Sequence, residues 1–162
     1  MVMKELDFLG DLSYDGIRNQ LERMNENGFI PDNYEEIIAI NKIMRFLDTK
    51  EGKDMVLAAK NGKLYKEKQF VMGLPLEEVY GIESQEIAII QGIIDVYYEL
   101  EGKIYLLDYK TDAVNEEDGE KALTDRYKLQ LDYYKRAIEG GTSLPVVKSL
   151  IYSFSLGKTF EV

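Results

Sequence analysis

One stretch decides the fold: Gly92-Ile93-Ile94-Asp95-Val96-Tyr97-Tyr98-Glu99-Leu100-Glu101-Gly102-Lys103-Ile104-Tyr105-Leu106-Leu107-Asp108-Tyr109-Lys110. Its β-branched and aromatic runs read as two strands, and Glu101-Gly102 reads as the turn of a hairpin. Asp95 and Asp108 lie equally far from that turn, so antiparallel pairing sets them across from one another. Lys110 follows Asp108 by two and projects from the same face of its strand. Two carboxylates meeting at the end of a buried hairpin raise each other's proton affinity unless a cation sits between them. Oxygen ligands suit a hard divalent ion. Such an ion polarises a phosphoryl oxygen and activates water, and a lysine beside it stabilises developing negative charge. Asp95 and Asp108 are therefore candidate metal ligands, and Lys110 a candidate catalytic group.

Working outward, the first strand of the pair spans Glu86 to Leu100 and the second Lys103 to Tyr109. Upstream, Lys63 to Gly73 alternates apolar and polar residues as a strand does. Gly73 to Ser84 reads as a loop with room for one helical turn. Three helices are predicted before it: Tyr14 to Asn27 behind the cap Ser13, Tyr34 to Leu47, and Asp54 to Lys60. Downstream, Asn115 to Asp118 is a loop. A long helix then runs from Gly119 to Ile138, closed by Gly140-Gly141. Val146 to Phe154 is a further strand, and Lys158 to Val162 pairs with it across Leu156-Gly157. The order predicts an α/β domain with a mixed sheet, a helical part over 1–62 and a core over 63–162. On the long helix Gln130 and Tyr134 are four apart and share a face, which Tyr127 and Ala137 extend. That helix follows the Asp108 strand and should pack across it, bringing Gln130 and Tyr134 toward the paired acids.

Composition narrows the chemistry. The 162 residues suffice for one domain with its own core. There is no cysteine, which excludes disulfides, thiolate zinc sites and cysteine-bound iron–sulfur clusters within this chain. There is no histidine, which excludes Ser-His-Asp and Cys-His catalysis. No apolar run approaches the roughly 20 residues of a membrane span. Met1-Val2-Met3-Lys4-Glu5 has neither the basic nor the apolar region of a signal peptide, and a cytoplasmic location is expected. The net charge of -10 is unlike that of a free-standing DNA binder. Composition by itself favours a protein- or small-molecule-binding domain.

The series Gly92-Ile93-Ile94-Asp95, Asp108-Tyr109-Lys110-Thr111-Asp112 and Tyr127-x-x-Gln130-Leu131-x-x-Tyr134 resembles the motifs of the RecB-type PD-(D/E)XK nucleases. From Glu67 to Phe154 it is similar to the C-terminal nuclease domain of AddA-type helicase–nucleases. The resemblance implies a restriction-endonuclease-like mixed sheet flanked by helices. It implies a Mg2+-dependent (or Mn2+-dependent) exonuclease that acts on DNA single strands fed by a helicase during double-strand-break repair. Asp95 and Asp108 match the metal-binding acids, Lys110 the catalytic lysine, and Gln130 and Tyr134 the Gln-x-x-x-Tyr motif. The carbonyl of Tyr109 is implied as a further metal ligand. Glu67 resembles the family's upstream glutamate. The second nuclease subunit of an AddAB-like heterodimer is the implied partner, and the absent cysteines favour the AddA side of that pair. ATP would belong to the helicase part, since no phosphate-binding Gly-x-x-x-x-Gly-Lys-Ser/Thr loop is present here. The family's helix-borne histidine has no counterpart in this chain.

Plainer readings stand beside these. Asp112 is expected to order the loop it begins. Glu116-Glu117-Asp118 suits a solvated loop and helix start. The tyrosines at 97, 98, 105, 109, 133 and 134 suit cross-strand and core packing as well as base stacking. A catalytically inert docking or DNA-guiding module with the same fold is the alternative to a nuclease.

Overall fold

The computed structural model describes residues 2–162. Ser13 caps the helix α1 (Tyr14–Glu26), its hydroxyl accepting the Gly16 N–H at 3.1 Å. Then come α2 (Tyr34–Ile37), α3 (Ile40–Asp48) and α4 (Lys50–Lys60). The strands are β1 (Leu64–Pro75), β2 (Ile87–Leu100), β3 (Lys103–Lys110), β4 (Val146–Ser153) and β5 (Lys158–Glu161). The short α5 (Leu76–Tyr80) joins β1 to β2, and the long α6 (Gly119–Thr142) joins β3 to β4. The strands form one mixed sheet in the order β1-β2-β3-β4-β5. Among the described residues only β3 and β4 run parallel, a pairing that needs a crossover to carry the chain back, which α6 supplies. This is the restriction-endonuclease-like arrangement expected from the sequence.

The β2–β3 hairpin has the expected register, with Val96 opposite Leu107 and Leu100 opposite Lys103. Glu101 and Gly102 both take positive φ, 51° and 72°, as a two-residue primed turn requires. Strand alternation then sends the sheet's side chains into two cores. Leu107, Tyr109, Leu150 and Tyr152 pack with Phe46, Met55 and the other helices of the first third. Ile104, Leu106 and Ile151 pack under Leu123, Leu131, Tyr134 and Ile138 of α6. Asp108 shares the parity of Ile104 and Leu106, so it faces α6 rather than the helical layer.

Four boundaries differ from the sequence expectation by more than one residue. The helix expected over Tyr34 to Leu47 is broken, with Ile38 and Ala39 extended between α2 and α3. One straight helix would spread Ile37, Ile38, Ile40, Ile43 and Leu47 around its surface. The break resets the phase, so that Ile38 and Ile40 join Ile43 and Leu47 against the core. α4 starts at Lys50, four residues before the expected Asp54, because Thr49 caps it by accepting the Gly52 N–H at 3.0 Å. α6 runs through Gly140-Gly141 to Thr142. Ser143, in the left-handed region at φ 59°, closes it. Glycine is permitted in a helix that tertiary packing already holds. β1 extends to Pro75, past the expected Gly73, and α5 supplies the single helical turn anticipated after it.

Candidate active site

The site forms where the central hairpin stops being a regular ladder. Pairing of β2 with β3 ends at Val96 and Leu107. At the next step the Asp95 carboxylate replaces a rung, its Oδ2 accepting the Tyr109 backbone N–H at 3.1 Å. Asp108 is on the neighbouring strand, buried at 2% exposure. The Lys110 ammonium lies 2.5 Å from Asp108 Oδ2. From above, α6 contributes Gln130, whose Oε1 accepts from Lys110 Nζ at 3.4 Å and whose Nε2 donates to the Tyr134 hydroxyl at 2.8 Å. The structure thus brings together Asp95, Asp108, Lys110, Gln130 and Tyr134 from two strands and one helix.

The electrostatics are strained in the direction that favours a cation. Burial raises the Asp108 carboxyl, the Asp95 charge raises it too and the Lys110 ammonium opposes both, leaving it at about 6. Asp108 Oδ2 is buried, and the Lys110 ammonium is its ion partner. The Tyr134 phenol is pushed up to about 12, first by burial and then by the charges of Asp108 and Asp95. One ammonium therefore offsets the charge of the buried Asp108, while Asp95 adds a second negative charge beside it. Two hard oxygen donors in that state suit a small divalent cation. Asp95 and Asp108 could hold it, with the Tyr109 carbonyl as the third donor that the family resemblance implies.

Glu67 is placed differently. Lys66 pairs with Val96 and Lys68 with Ile94, so Glu67 stands opposite Asp95 on the neighbouring strand. Its φ of 51° interrupts the ladder there, a costly backbone for a non-glycine residue. Packing alternation slips at this step. On the α6 side Tyr65 stacks on Tyr97 before it, and Phe70 and Ile94 take that side beyond it. The Glu67 side chain is exposed. Among the described residues no three Asp, Glu, His or Cys side chains converge as a metal cage. Glu67 is brought near the acidic pair in sequence register but does not complete a ligand set.

Two supports were not among the candidate residues. Lys110 Nζ lies 3.8 Å from the centroid of the Tyr127 ring. The Tyr127 hydroxyl donates to both Asp112 oxygens, at 3.0 and 3.2 Å. Asp112, expected only to order its loop, ties that loop to α6. The spacing of 127, 130 and 134 on one helix face was the signal for Tyr127. The second support is Gly92. A Cβ there would meet Phe70 Cε1 at 2.9 Å and Tyr134 Cε1 at 3.5 Å, so the missing side chain lets Phe70 pack edge-on against Tyr134. Of the remaining tyrosines, Tyr98 stacks on Tyr105 at 5.2 Å and Tyr109 meets Phe46 edge-on at 5.3 Å, which is packing within the fold.

No protein-family model matches the chain. Among curated proteins, the chain is similar to the AddA subunit of the ATP-dependent helicase/nuclease of several bacteria. The identity is 37% over all of the chain for the protein of Syntrophomonas wolfei, where the match is 13% of that protein. It is 33% over 99% of the chain for Clostridium acetobutylicum, again 13% of the protein. For Lachnoclostridium phytofermentans it is 30% over 99% of the chain and 14% of the protein. The chain thus spans about one seventh of the length of these relatives.

Proposed function

We propose, for a chain whose whole length corresponds to part of an AddA-type helicase/nuclease, the role of a metal-dependent nuclease that hydrolyses DNA phosphodiester bonds. The observation that carries this reading is the buried Asp108 carboxylate, set beside the Asp95 charge and the Lys110 ammonium. Asp95 and Asp108 would hold Mg2+ or Mn2+, which when bound supplies Lewis acidity toward a phosphoryl oxygen and toward water. The Tyr109 carbonyl is a further donor, and Glu67 one that would have to turn inward.

The chain's own groups then divide the work. Asp95, pinned by the Tyr109 N–H, keeps one carboxylate oxygen in fixed position. Lys110, held between Asp108 and Gln130, presents an ammonium where negative charge develops on the phosphate. Gln130 and Tyr134, joined at 2.8 Å, fix the roof of the site and keep the ammonium from swinging away. Their contribution is pre-organisation, which converts loose encounter into a fixed geometry.

The domain would act as an exonuclease on single strands fed by a helicase motor, in double-strand-break processing beside a second nuclease subunit. The acidic charge of -10 fits this division, since the grip on DNA would come from elsewhere in the assembly. The test is cleavage of single-stranded DNA with Mg2+ or Mn2+, by the chain and by the longer AddA-type polypeptide that carries it. Cleavage should vanish in Asp108→Asn and Lys110→Ala. Cleavage that survives Asp108→Asn overturns the assignment. The inert docking module is favoured by one observation, the absence of a third converging acid among the described residues. It predicts no Mn2+ binding at Asp95 and Asp108.

A further inference from the structure

We propose that Tyr127, anchored by Asp112, is the positioning residue that holds Lys110 in the site when Asp108 is engaged by a cation. The inference rests on the reading of Asp108 and Lys110 given above. Asp108 Oδ2 has two claims on it: it is the ion partner of the Lys110 ammonium and a buried carboxylate oxygen that a cation held with Asp95 would draw on. It cannot serve a divalent ion fully and keep Lys110 at 2.5 Å as well. Once that contact weakens, the ammonium retains the long bond to Gln130 Oε1 at 3.4 Å and the Tyr127 ring. A lysine on a four-carbon stem has much rotamer freedom to lose, so a platform beneath it matters.

The ring is suited to that task. Its centroid is 3.8 Å from Lys110 Nζ, well inside the roughly 6 Å reach of a cation–π contact. A ring attracts the ammonium without neutralising it or competing for the metal, which a third carboxylate would do. The ring itself is fixed at its far end. Its hydroxyl donates to both oxygens of Asp112, and Arg126 holds Asp112 Oδ1 at 2.5 Å. Burial alone would push the Asp112 carboxyl up. The hydrogen bonds from Tyr127, its own backbone and Arg126 outweigh that and keep it below the usual carboxylate range. An ionised acceptor at the end of β3 thus clamps a residue of α6 over the lysine of the same strand.

The experiment reads Lys110 directly, by NMR of the lysine ε-methylene signals in the metal-free and Mg2+-loaded chain. The ring face should shift the Lys110 signal upfield of the other lysines, and Mg2+ should leave that shift in place. In Tyr127→Leu the shift should be lost. In Tyr127→Phe and Asp112→Asn, which keep the shape but cut the anchor, it should shrink. In the cleavage assay Tyr127→Phe should lower kcat by about ten- to a hundredfold with KM unchanged. A Lys110 signal that stays put in Tyr127→Leu overturns the proposal. So do Tyr127→Phe and Asp112→Asn variants that cleave and resonate as the parent does. If Tyr127→Leu fails to fold, the Asp112→Asn spectrum decides alone. Cleavage by Asp108→Asn would instead sink the nuclease reading, leaving the ring contact to be judged by the spectra.

Discussion

Asp95 takes the place of a ladder rung: its Oδ2 accepts the Tyr109 N–H at 3.1 Å, one step beyond the last regular pair, Val96 with Leu107. One side chain thereby satisfies a buried backbone donor and fixes a carboxylate at the site. Asp95→Ala leaves the amide without that acceptor and should cost about 1–3 kcal/mol in the metal-free chain. Asp95→Asn keeps an acceptor and should cost less, yet both should weaken Mn2+ binding. Urea unfolding beside calorimetric Mn2+ titration separates the two effects. Equal stability of the two variants would show that the bond contributes nothing to folding.

Asp108 makes the metal-free fold sensitive to pH. Its carboxyl titrates near 6 when folded, against an ordinary value of 3.8. The folded chain binds that proton more tightly, so the stability it contributes is complete below about pH 3.8 and is lost as pH rises through about 6. Asp108→Asn removes the buried charge and should stabilise the metal-free chain at pH 7 by about 1–3 kcal/mol. At about pH 4 the gain should nearly vanish. Thermal unfolding of parent and variant at both pH values is the measurement; a variant less stable than the parent at neutral pH contradicts the electrostatic account.

The same carboxyl predicts proton release on metal binding. At about pH 5.5 much of Asp108 is protonated, and a bound cation must displace that proton. Mn2+ titrations in buffers of different ionisation heat should show more protons released at about pH 5.5 than at about pH 8. Release that does not change between these values would remove Asp108 from the ligand set.

Gly92 is a packing requirement at the site. Alanine there brings a methyl group to 2.9 Å from Phe70 Cε1. Phe70 must move, and with it the edge contact to Tyr134. Gly92→Ala should cost about 1–3 kcal/mol and lower cleavage. Adding Phe70→Leu, which frees the space, should restore part of the stability. If Gly92→Ala unfolds in urea at the parent's midpoint, the close approach is not a constraint.

The sequence by itself determined the hairpin and what it carries. Glu101-Gly102 fixes the turn, a two-residue turn fixes the register, and register fixes which residues oppose each other. The convergence of Asp95 and Asp108 was therefore legible, as was the face shared by Gln130 and Tyr134, because both follow from local periodicity. Tertiary structure decided what periodicity does not encode. The break at Ile38–Ala39 arises because several isoleucines must reach one core. The left-handed backbone of Glu67 and the slip beside it arise where β1 meets Asp95. The seat of Tyr127 over Lys110 arises from how α6 lies across the sheet, a matter of side-chain packing between elements far apart in the chain. Local pattern specifies strands and their partners within a hairpin. The depth of burial that raises Asp108, and the ring that holds its lysine, exist only once distant layers close over one another.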